Sequence, residues 1–275
     1  MSNKHIYVDL HLHTRCSDGV WEPERLFQEV RDRELGAFCV SDHDTLDAYP
    51  MPADLSSRSI PGLEVDSHHG GHTAHILAYG VADAASPLLQ ALHVQRVARE
   101  ARMAEMVAAL NARGIAVSMD DVRTHAPGAT SLGRPHLARA LVSSGAVTSV
   151  QEAFDRYLAD DKAAYVALER LDSKQAIALI AQSGGVSIVA HPIRLKQPKH
   201  LEELVALGVD GIEVVHPTAD AATQRELYSR AAQSDLLVTG GTDFHAPVPD
   251  RPIGIQFAAE HMERLRERIA ARAPQ

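Results

Sequence analysis

Residues 6–41 read IYVDLHLHTRCSDGVWEPERLFQEVRDRELGAFCVS, and the rhythm of this stretch decides the fold class. Ile6–Leu10 is a short apolar run with the length of a buried strand. Pro23–Leu35 has helical periodicity, with Pro23 near the first helical position and Gly36 as the stop. Ala37–Ser41 is a second apolar run, and further strands are predicted at Ile60–Val65 and His75–Tyr79. The rhythm resumes with a helix over Ser173–Gln182 that Gly184-Gly185 ends, then a strand over Val186–Ala190. A helix over Leu201–Leu207, a strand over Gly211–Val215 and a helix over Ala222–Gln233 follow. A strand over Leu236–Val238 and a helix over His261–Arg272 close the chain. Such alternation predicts an α/β barrel or a doubly wound sheet. The middle breaks the pattern. Leu88, Leu92, Val97, Met103, Val107 and Leu110 recur at helical spacing up to Gly114, and helical pieces follow at Arg139–Ser143 and Val150–Leu158. The expected organisation is an α/β unit of residues 1–86 and 172–275, with residues 87–171 as a helical insertion that caps the substrate.

Only 4% of the 275 residues are aromatic against 45% hydrophobic, which predicts a core of Ala, Leu, Val and Ile. Lys plus Arg is 27 and Asp plus Glu 36, a net charge of −9. That balance argues against a broad grip on duplex DNA, which needs basic faces. An anionic substrate would need a locally positive site such as bound metal. The 16 histidines are the unusual feature, since imidazole is the commonest metal ligand. Cys16 and Cys39 form no disulfide framework, which fits a reducing compartment. The chain enters its first strand without an apolar leader, and no run of 18 apolar residues occurs. A soluble cytoplasmic protein without a membrane partner is expected.

Polar clusters stand at the ends of the predicted strands. They are His11-Leu12-His13 with Asp18-Gly19, Ser41-Asp42-His43-Asp44, Gly62-Leu63-Glu64 with His75, Ala190-His191-Pro192, and Gly241-Thr242-Asp243-Phe244-His245. On an extended chain residues i and i+2 point the same way, so His11 and His13 can reach one ion. Each cluster alone has a plain reading: an incidental HxH, a loop His-Pro, a capping Asp. Their recurrence at strand end after strand end is what points to a metal site, because the strand ends of a barrel open on one face. Ligation by N and O without thiolate suits Mn²⁺, Fe²⁺ or Zn²⁺. Cys16 reads as a small loop residue.

The run Val8-Asp9-Leu10-His11-Leu12-His13-Thr14, then Ser17-Asp18-Gly19, resembles the first motif of the PHP (polymerase and histidinol phosphatase) family. Ser41-Asp42-His43-Asp44, Gly62-Leu63-Glu64, His75-Ile76-Leu77, Ala190-His191-Pro192 and Gly241-Thr242-Asp243-Phe244-His245 match its remaining motifs in order. The resemblance covers roughly 1–85 and 175–260. It implies a distorted (β/α)7 barrel with up to three divalent ions, Mn²⁺ foremost. By the family pattern one ion takes His11, His13, Glu64 and Asp243. A second shares Glu64 and adds His75 and His191. A third takes Asp18, His43 and His245. His72 is a rival to His75, while His5, His68, His69, His93, His125, His200 and His261 read as surface or packing residues. Three divalent ions against three carboxylates leave positive charge for a phosphate and a bridging hydroxide, which metal makes available by lowering the pKa of water to about 7.

The insertion carries Thr130-Ser131-Leu132-Gly133-Arg134-Pro135-His136. Pro135 suits a first helical position, so a helix start could face an anion. Arg134 could then fork a phosphate with Ser131, Gly133 and His136 beside it; an ordinary helix start with a solvent-facing Arg is the alternative. Likeness to the insertion of PHP nucleotide phosphatases favours the phosphate subsite. Asp243, Asp44 and His216 are the catalytic candidates, the last two also as substrate contacts, with His216 able to protonate a leaving oxygen. The resemblance implies removal of the 3′-phosphate from a nucleoside 3′,5′-bisphosphate such as adenosine 3′,5′-bisphosphate. Exonuclease action from the 5′ end of short RNA and histidinol-phosphate hydrolysis are the alternatives within the family. An amidohydrolase would bring a carboxylated Lys where Glu64 stands, and a non-catalytic PHP domain would lack ligands that are present here.

Overall fold

The computed structural model describes residues 5–273. β1 (His5–Leu12), α1 (Pro23–Asp32) and β2 (Ala37–Val40) form a first βα unit with parallel strands. β3 (Gly62–His69) and β4 (His72–Tyr79) are antiparallel, because a link of only Gly70 and Gly71 cannot return a chain in parallel. Both glycines hold positive φ, +55° and +78°, as a two-residue hairpin turn requires. β5 (Leu171–Asp172) leads into α6 (Ser173–Gln182). β6 (Val186–Val189), β7 (Gly211–Val215) and β8 (Leu237–Gly240) then run parallel, joined through α7 (Pro198–Ala206) and α8 (Ala221–Gln233).

These strands and β9 (Ile255–Ala258) lie in two sheets, of order β2-β1-β9 and β5-β3-β4-β6-β7-β8. Isolated bridges cross both seams: Leu12 to Phe244 and His43 to Glu64. The class is mixed α/β, as expected. β4 and β9 run antiparallel to their neighbours, so the strand order does not spell seven regular βα units. β9 (Ile255–Ala258) escapes a reading of the sequence for a physical reason. Its four residues bury only Phe257 and pass into α9 (Ala259–Arg272) without a turn residue between them.

The main core is aliphatic, from Val8 and Leu10 of β1 to Leu237 and Val238 of β8, with Tyr79 and Phe257 as its buried aromatics. A second cluster runs from Met103 to Ala164. α2 (Pro87–Asn111) joins the two: Leu88, Leu89 and Leu92 enter the first, Met103, Met106 and Leu110 the second. Its middle departs from expectation. Val97 is 59% exposed, and Gln95, Arg99 and Arg102 take the buried face instead. α3 (Met119–Thr124), α4 (Arg134–Ser143) and α5 (Val150–Ala153), which continues into a π-helical turn Phe154–Leu158, complete the helical region. No helix of the described residues is long and apolar enough to cross a membrane.

Candidate metal centre

The nine expected ligands, His11, His13, Asp18, His43, Glu64, His75, His191, Asp243 and His245, converge at the strand ends. His11 and His13 point to one side of β1, as the alternation of a strand demands. Their Nε2 atoms each lie 3.3 Å from Glu64 Oε2, and 3.4 and 3.5 Å from Asp243 Oδ1. The other Glu64 oxygen is 3.0 Å from His75 Nδ1 and 3.1 Å from His191 Nε2. His43 Nδ1 lies 3.2 Å from Glu64 Oε2, and His245 Nε2 lies 3.2 Å from Asp18 Oδ1. Three sets can each hold an ion: His11, His13, Glu64 and Asp243; His13, Asp18, His43 and His245; His43, Glu64 and His75. Family analogy would put His191 in the last set and leave His13 out of the second.

A metal fits this donor set on an observation internal to the protein. His11 Nε2, both His13 nitrogens, Asp18 Oδ1 and His43 Nδ1 are buried without a hydrogen-bond partner among the described residues. Buried polar atoms are ordinarily paired, and orphans in one spot signal an absent partner. The donor spacings near 3.3 Å are also what a tetrahedral ion about 2.0–2.1 Å from N and O ligands would need. Divalent ions therefore suit the cluster.

Protons compete for the same atoms. Burial opposes charge on His13, yet Asp243 and Glu64 outweigh it and raise its pKa to about 10. Burial likewise opposes His75, and Glu64 and Asp66 raise it to about 10. Burial wins at His43, pushed down to about 4. His13 and His75 are thus protonated in the metal-free protein at neutral pH. The raised groups stabilise the metal-free fold fully below about 6.5, and that contribution is lost as pH climbs through about 10. Metal affinity must move the opposite way. Metal-free protein should therefore show a falling Tm from pH 7 to 10 while Mn²⁺ affinity rises over the same window. Calorimetry in two buffers of different ionisation enthalpy would register the released protons; affinity flat with pH would refute the linkage.

Three buried carboxylates outside the nine expected ligands orient the cluster: Glu213, which no motif contains, and Asp42 and Asp9, which the motifs contain without a role. Glu213 Oε1 accepts from His11 Nδ1 at 3.0 Å, which leaves Nε2 facing the cluster, and Oε2 accepts from the His191 backbone N–H at 2.7 Å. Asp42 accepts from Thr14 N–H, Thr14 Oγ1 and Ser17 Oγ at 2.5–2.7 Å, shaping the loop that carries Asp18. Asp9 accepts from the Thr242 N–H and Oγ1 and from the Gly254 N–H, shaping the loop that carries Asp243. Gly241 is required beside it, because a Cβ there would lie 2.5 Å from that of His11. Partners that orient a ligating imidazole typically contribute 10- to 100-fold in affinity or activity. Glu213→Gln should weaken Mn²⁺ binding by about that factor, read by equilibrium dialysis; unchanged affinity would remove Glu213 from the assembly.

The other candidates are placed differently. His216 accepts from the Thr218 N–H on Nδ1, so its Nε2–H faces Asp243 Oδ2 at 3.3 Å and holds that carboxylate. Asp44 lies outside the cluster. It is fully buried, with Arg99 and Gln95 on Oδ2 and the Asp66 N–H on Oδ1, and so serves as an anchor for α2. His136 Nδ1 accepts from the Gly133 N–H as a helix cap, and burial pushes its pKa down to about 4. Ser131 Oγ is buried without a partner among the described residues. Arg134 is bound to Asp160 and to the Leu158 carbonyl, neither the bare phosphate fork nor the solvent-facing side chain of the two expectations. Burial raises the Cys16 thiol to about 11, in keeping with a loop residue.

A cleft of about 180 Å³ opens beside the cluster, between Asp18, His43 and His75 on one wall and Arg99, Arg102, Arg134 and Arg170 on the other. Three of those arginines escaped the sequence reading. For Arg99 and Arg102 the signal was present, since with Gln95 they stand in helical phase with Leu88 and Leu92 on α2; Arg170 has no such pattern around it.

No family model matches the chain. A 3′,5′-nucleoside bisphosphate phosphatase from Chromobacterium violaceum is 32% identical over 249 residues, 87% of this chain and 87% of the relative. The 5′-3′ exoribonuclease Rnm of Escherichia coli is 32% identical over 260 residues, 90% of this chain and 88% of the relative. Among solved structures, one from Bifidobacterium adolescentis assigned as a metal-dependent phosphoesterase aligns with a TM-score of 0.81 at 27% identity, covering 95% of this chain and 96% of that one. Another from Chromobacterium violaceum, described as an amidohydrolase with bound sulfate and no metal, aligns at 0.85 with 30% identity over 95% and 96%. In this chain the candidate ion sets contain only His, Asp and Glu, with no Lys. Identity of 32% over nine-tenths of the sequence leaves no room for chance likeness, and the chain belongs to the PHP family of metal-dependent phosphoesterases.

Proposed function

We propose that this phosphoesterase removes the 3′-phosphate of a nucleoside 3′,5′-bisphosphate, with the ion cluster at the 3′-phosphate and the arginine wall at the 5′-phosphate. Bound ions would supply charge to the phosphoryl oxygens and an activated water at neutral pH. His11, His13, Asp18, His43, Glu64, His75, His191, Asp243 and His245 would hold them. His216 and Arg194, whose Nη1 donates to Asp243 Oδ2 at 2.8 Å, steady Asp243. Residues 87–171 act as the cap, since Arg134 comes from them and the Arg139 guanidinium donates to the Asp18 carbonyl at 2.6 Å.

One observation carries the second phosphate. Arg102 Nη2 is buried without a hydrogen-bond partner among the described residues. Burial, then Arg134 and Arg170, push its guanidinium down to about 10. A buried cation crowded by like charges is costly unless an anion joins it, and a phosphate offers the acceptors that are missing. A reducing compartment would suit Cys16 and Cys39, which are unpaired.

The 5′-3′ exoribonuclease relative favours a second reading, in which the same arginines hold the 5′-phosphate of a short RNA and a diester is cut. Mn²⁺-loaded protein incubated with adenosine 3′,5′-bisphosphate separates the two. Adenosine 5′-phosphate plus free phosphate is expected, faster than mononucleotide release from a 5′-phosphorylated trinucleotide. Faster release from the trinucleotide would transfer the assignment to RNA, and adenosine 3′-phosphate as product would reverse the polarity. Arg134→Ala should raise KM for the bisphosphate about 10- to 100-fold, as loss of a charged hydrogen bond implies. Its effect on adenosine 3′-phosphate, which has no 5′-phosphate, should be negligible; an equal effect on both would remove Arg134 from the subsite.

A further inference from the structure

Asp18 is the one carboxylate in the candidate ion set His13, Asp18, His43 and His245. It stands in the turn that follows β1, beyond the reach of strand geometry, so other contacts must aim it. The α/β unit supplies some of them. Asp42 holds Thr14 and Ser17, the Gly19 N–H donates to the Thr14 carbonyl at 2.9 Å, and the Val20 N–H donates to the His245 carbonyl at 2.8 Å. These bonds fix the residues on either side of Asp18 and leave its own peptide carbonyl to another partner.

That partner comes from the insertion. Arg139 Nη2, on α4, donates to the Asp18 carbonyl at 2.6 Å, and among the described residues the guanidinium makes no other hydrogen bond and no ion pair. Burial lowers its pKa, and Asp18 opposes that shift. Removing a guanidinium from water is costly, so a half-buried one committed to a single backbone oxygen holds that oxygen firmly. His136 lies three residues earlier on the same face of α4 and is 1% exposed. Burial dominates its lowered pKa, with Asp18 and Arg139 as the next influences, which places the three side by side. The segment before α4 closes over the same turn: the Thr130 N–H donates to the Cys16 carbonyl at 3.2 Å, and a Cβ on Gly133 would meet that of Asp18 at 4.0 Å.

We propose that Arg139 is a positioning residue for the ion held by His13, Asp18, His43 and His245, so that the insertion completes one ion set as well as capping the cleft. Arg139 is itself no ligand and acts through the Asp18 backbone. Asp18 brings the only negative charge of its set, and rotation of its peptide would carry that charge away from the ion. The other two sets, His11, His13, Glu64 and Asp243, and His43, Glu64 and His75, do not contain Asp18, so the effect falls on one ion. The inference rests on Asp18 as an ion ligand and is independent of which phosphate ester the protein cleaves.

Full-length protein titrated with Mn²⁺, with free ion followed by its electron paramagnetic resonance signal, would be compared with Arg139→Met, Arg139→Lys and Asp18→Asn. In Arg139→Met one class of Mn²⁺ site should weaken about 10- to 100-fold, the usual cost of losing a partner behind a ligand, while the others keep their affinity. At limiting Mn²⁺ its kcat should fall with KM for the nucleotide unchanged. Arg139→Lys retains a donor for one carbonyl and should recover part of the affinity. Asp18→Asn should lose the same Mn²⁺; a full complement there would overturn the reading of Asp18 as a ligand, and the proposal with it. Loss in Asp18→Asn with unweakened binding in Arg139→Met would overturn the positioning role alone. Weakening of every Mn²⁺ site together in Arg139→Met, with a lower Tm, would also overturn it and make Arg139 a packing residue of the insertion.

Discussion

Glu64→Gln should abolish phosphate release, with a loss of at least about a thousandfold. Charge stabilisation by bound metal amounts to several kcal/mol, and each 1.36 kcal/mol is a factor of ten in rate. The substitution preserves shape and removes one negative charge. That charge faces five imidazoles: His75 and His191 on one oxygen, His11, His13 and His43 on the other. No other carboxylate of the cluster is shared so widely, so no neighbour can replace it. Loss of the anion should also lower the raised pKa values of His13 and His75, to which it contributes. Mn²⁺ content after dialysis should fall with activity. Full metal content with full turnover would refute the placement of Glu64 at the centre of the site.

Arg99→Met should cost about 3–5 kcal/mol of stability, the usual consequence of removing one partner from a buried ion pair. Arg99 is 6% exposed and donates to Asp44 Oδ2 through Nε and Nη2, and to Asp66 Oδ2 at 2.7 Å. Methionine fills similar volume, so the loss is electrostatic rather than a cavity. Asp66 keeps Arg170, whose Nε lies 2.8 Å from Oδ1, but Asp44 keeps no cation bound to its carboxylate. At about 2–4 °C per kcal/mol for a chain of this size, Tm should drop by roughly 10 °C. Arg99→Lys should recover only part of it, because an ammonium cannot bind two oxygens in a planar fork. An unchanged Tm would mean that the Asp44–Arg99–Asp66 network is not desolvated as the burial indicates.

Much of the candidate centre was legible because its residues travel in short motifs. A strand end delivers its own side chains to the cluster, so His11 with His13, or Asp243 with His245, can be read as local units without knowledge of the fold. Parity along the strand settles such cases as well: His75, across from Asp66, faces the cluster and its rival His72 does not. The aliphatic runs and their stops likewise marked most strands and helices, since burial and backbone hydrogen bonding are decided within a few residues.

What the motifs omit is partnership across the chain. His11 is oriented by Glu213, 202 residues away, and the Asp243 loop by Asp9, more than 230 residues away. Nothing local tells an Asp that ligates from one that holds the loop beside it, which is why Asp44 reads as chemistry and serves as an anchor for Arg99. The phase of α2 is similar: Val97 has the right polarity for a buried face, but Gln95, Arg99 and Arg102 are buried because acidic groups and a cleft await them. The sequence by itself determined the alternation of elements and the residue types at the strand ends, both set by short-range geometry. Only the tertiary structure decided which carboxylate faces which imidazole and which arginine is left without an anion, because charge pairing depends on distance in space and not along the chain.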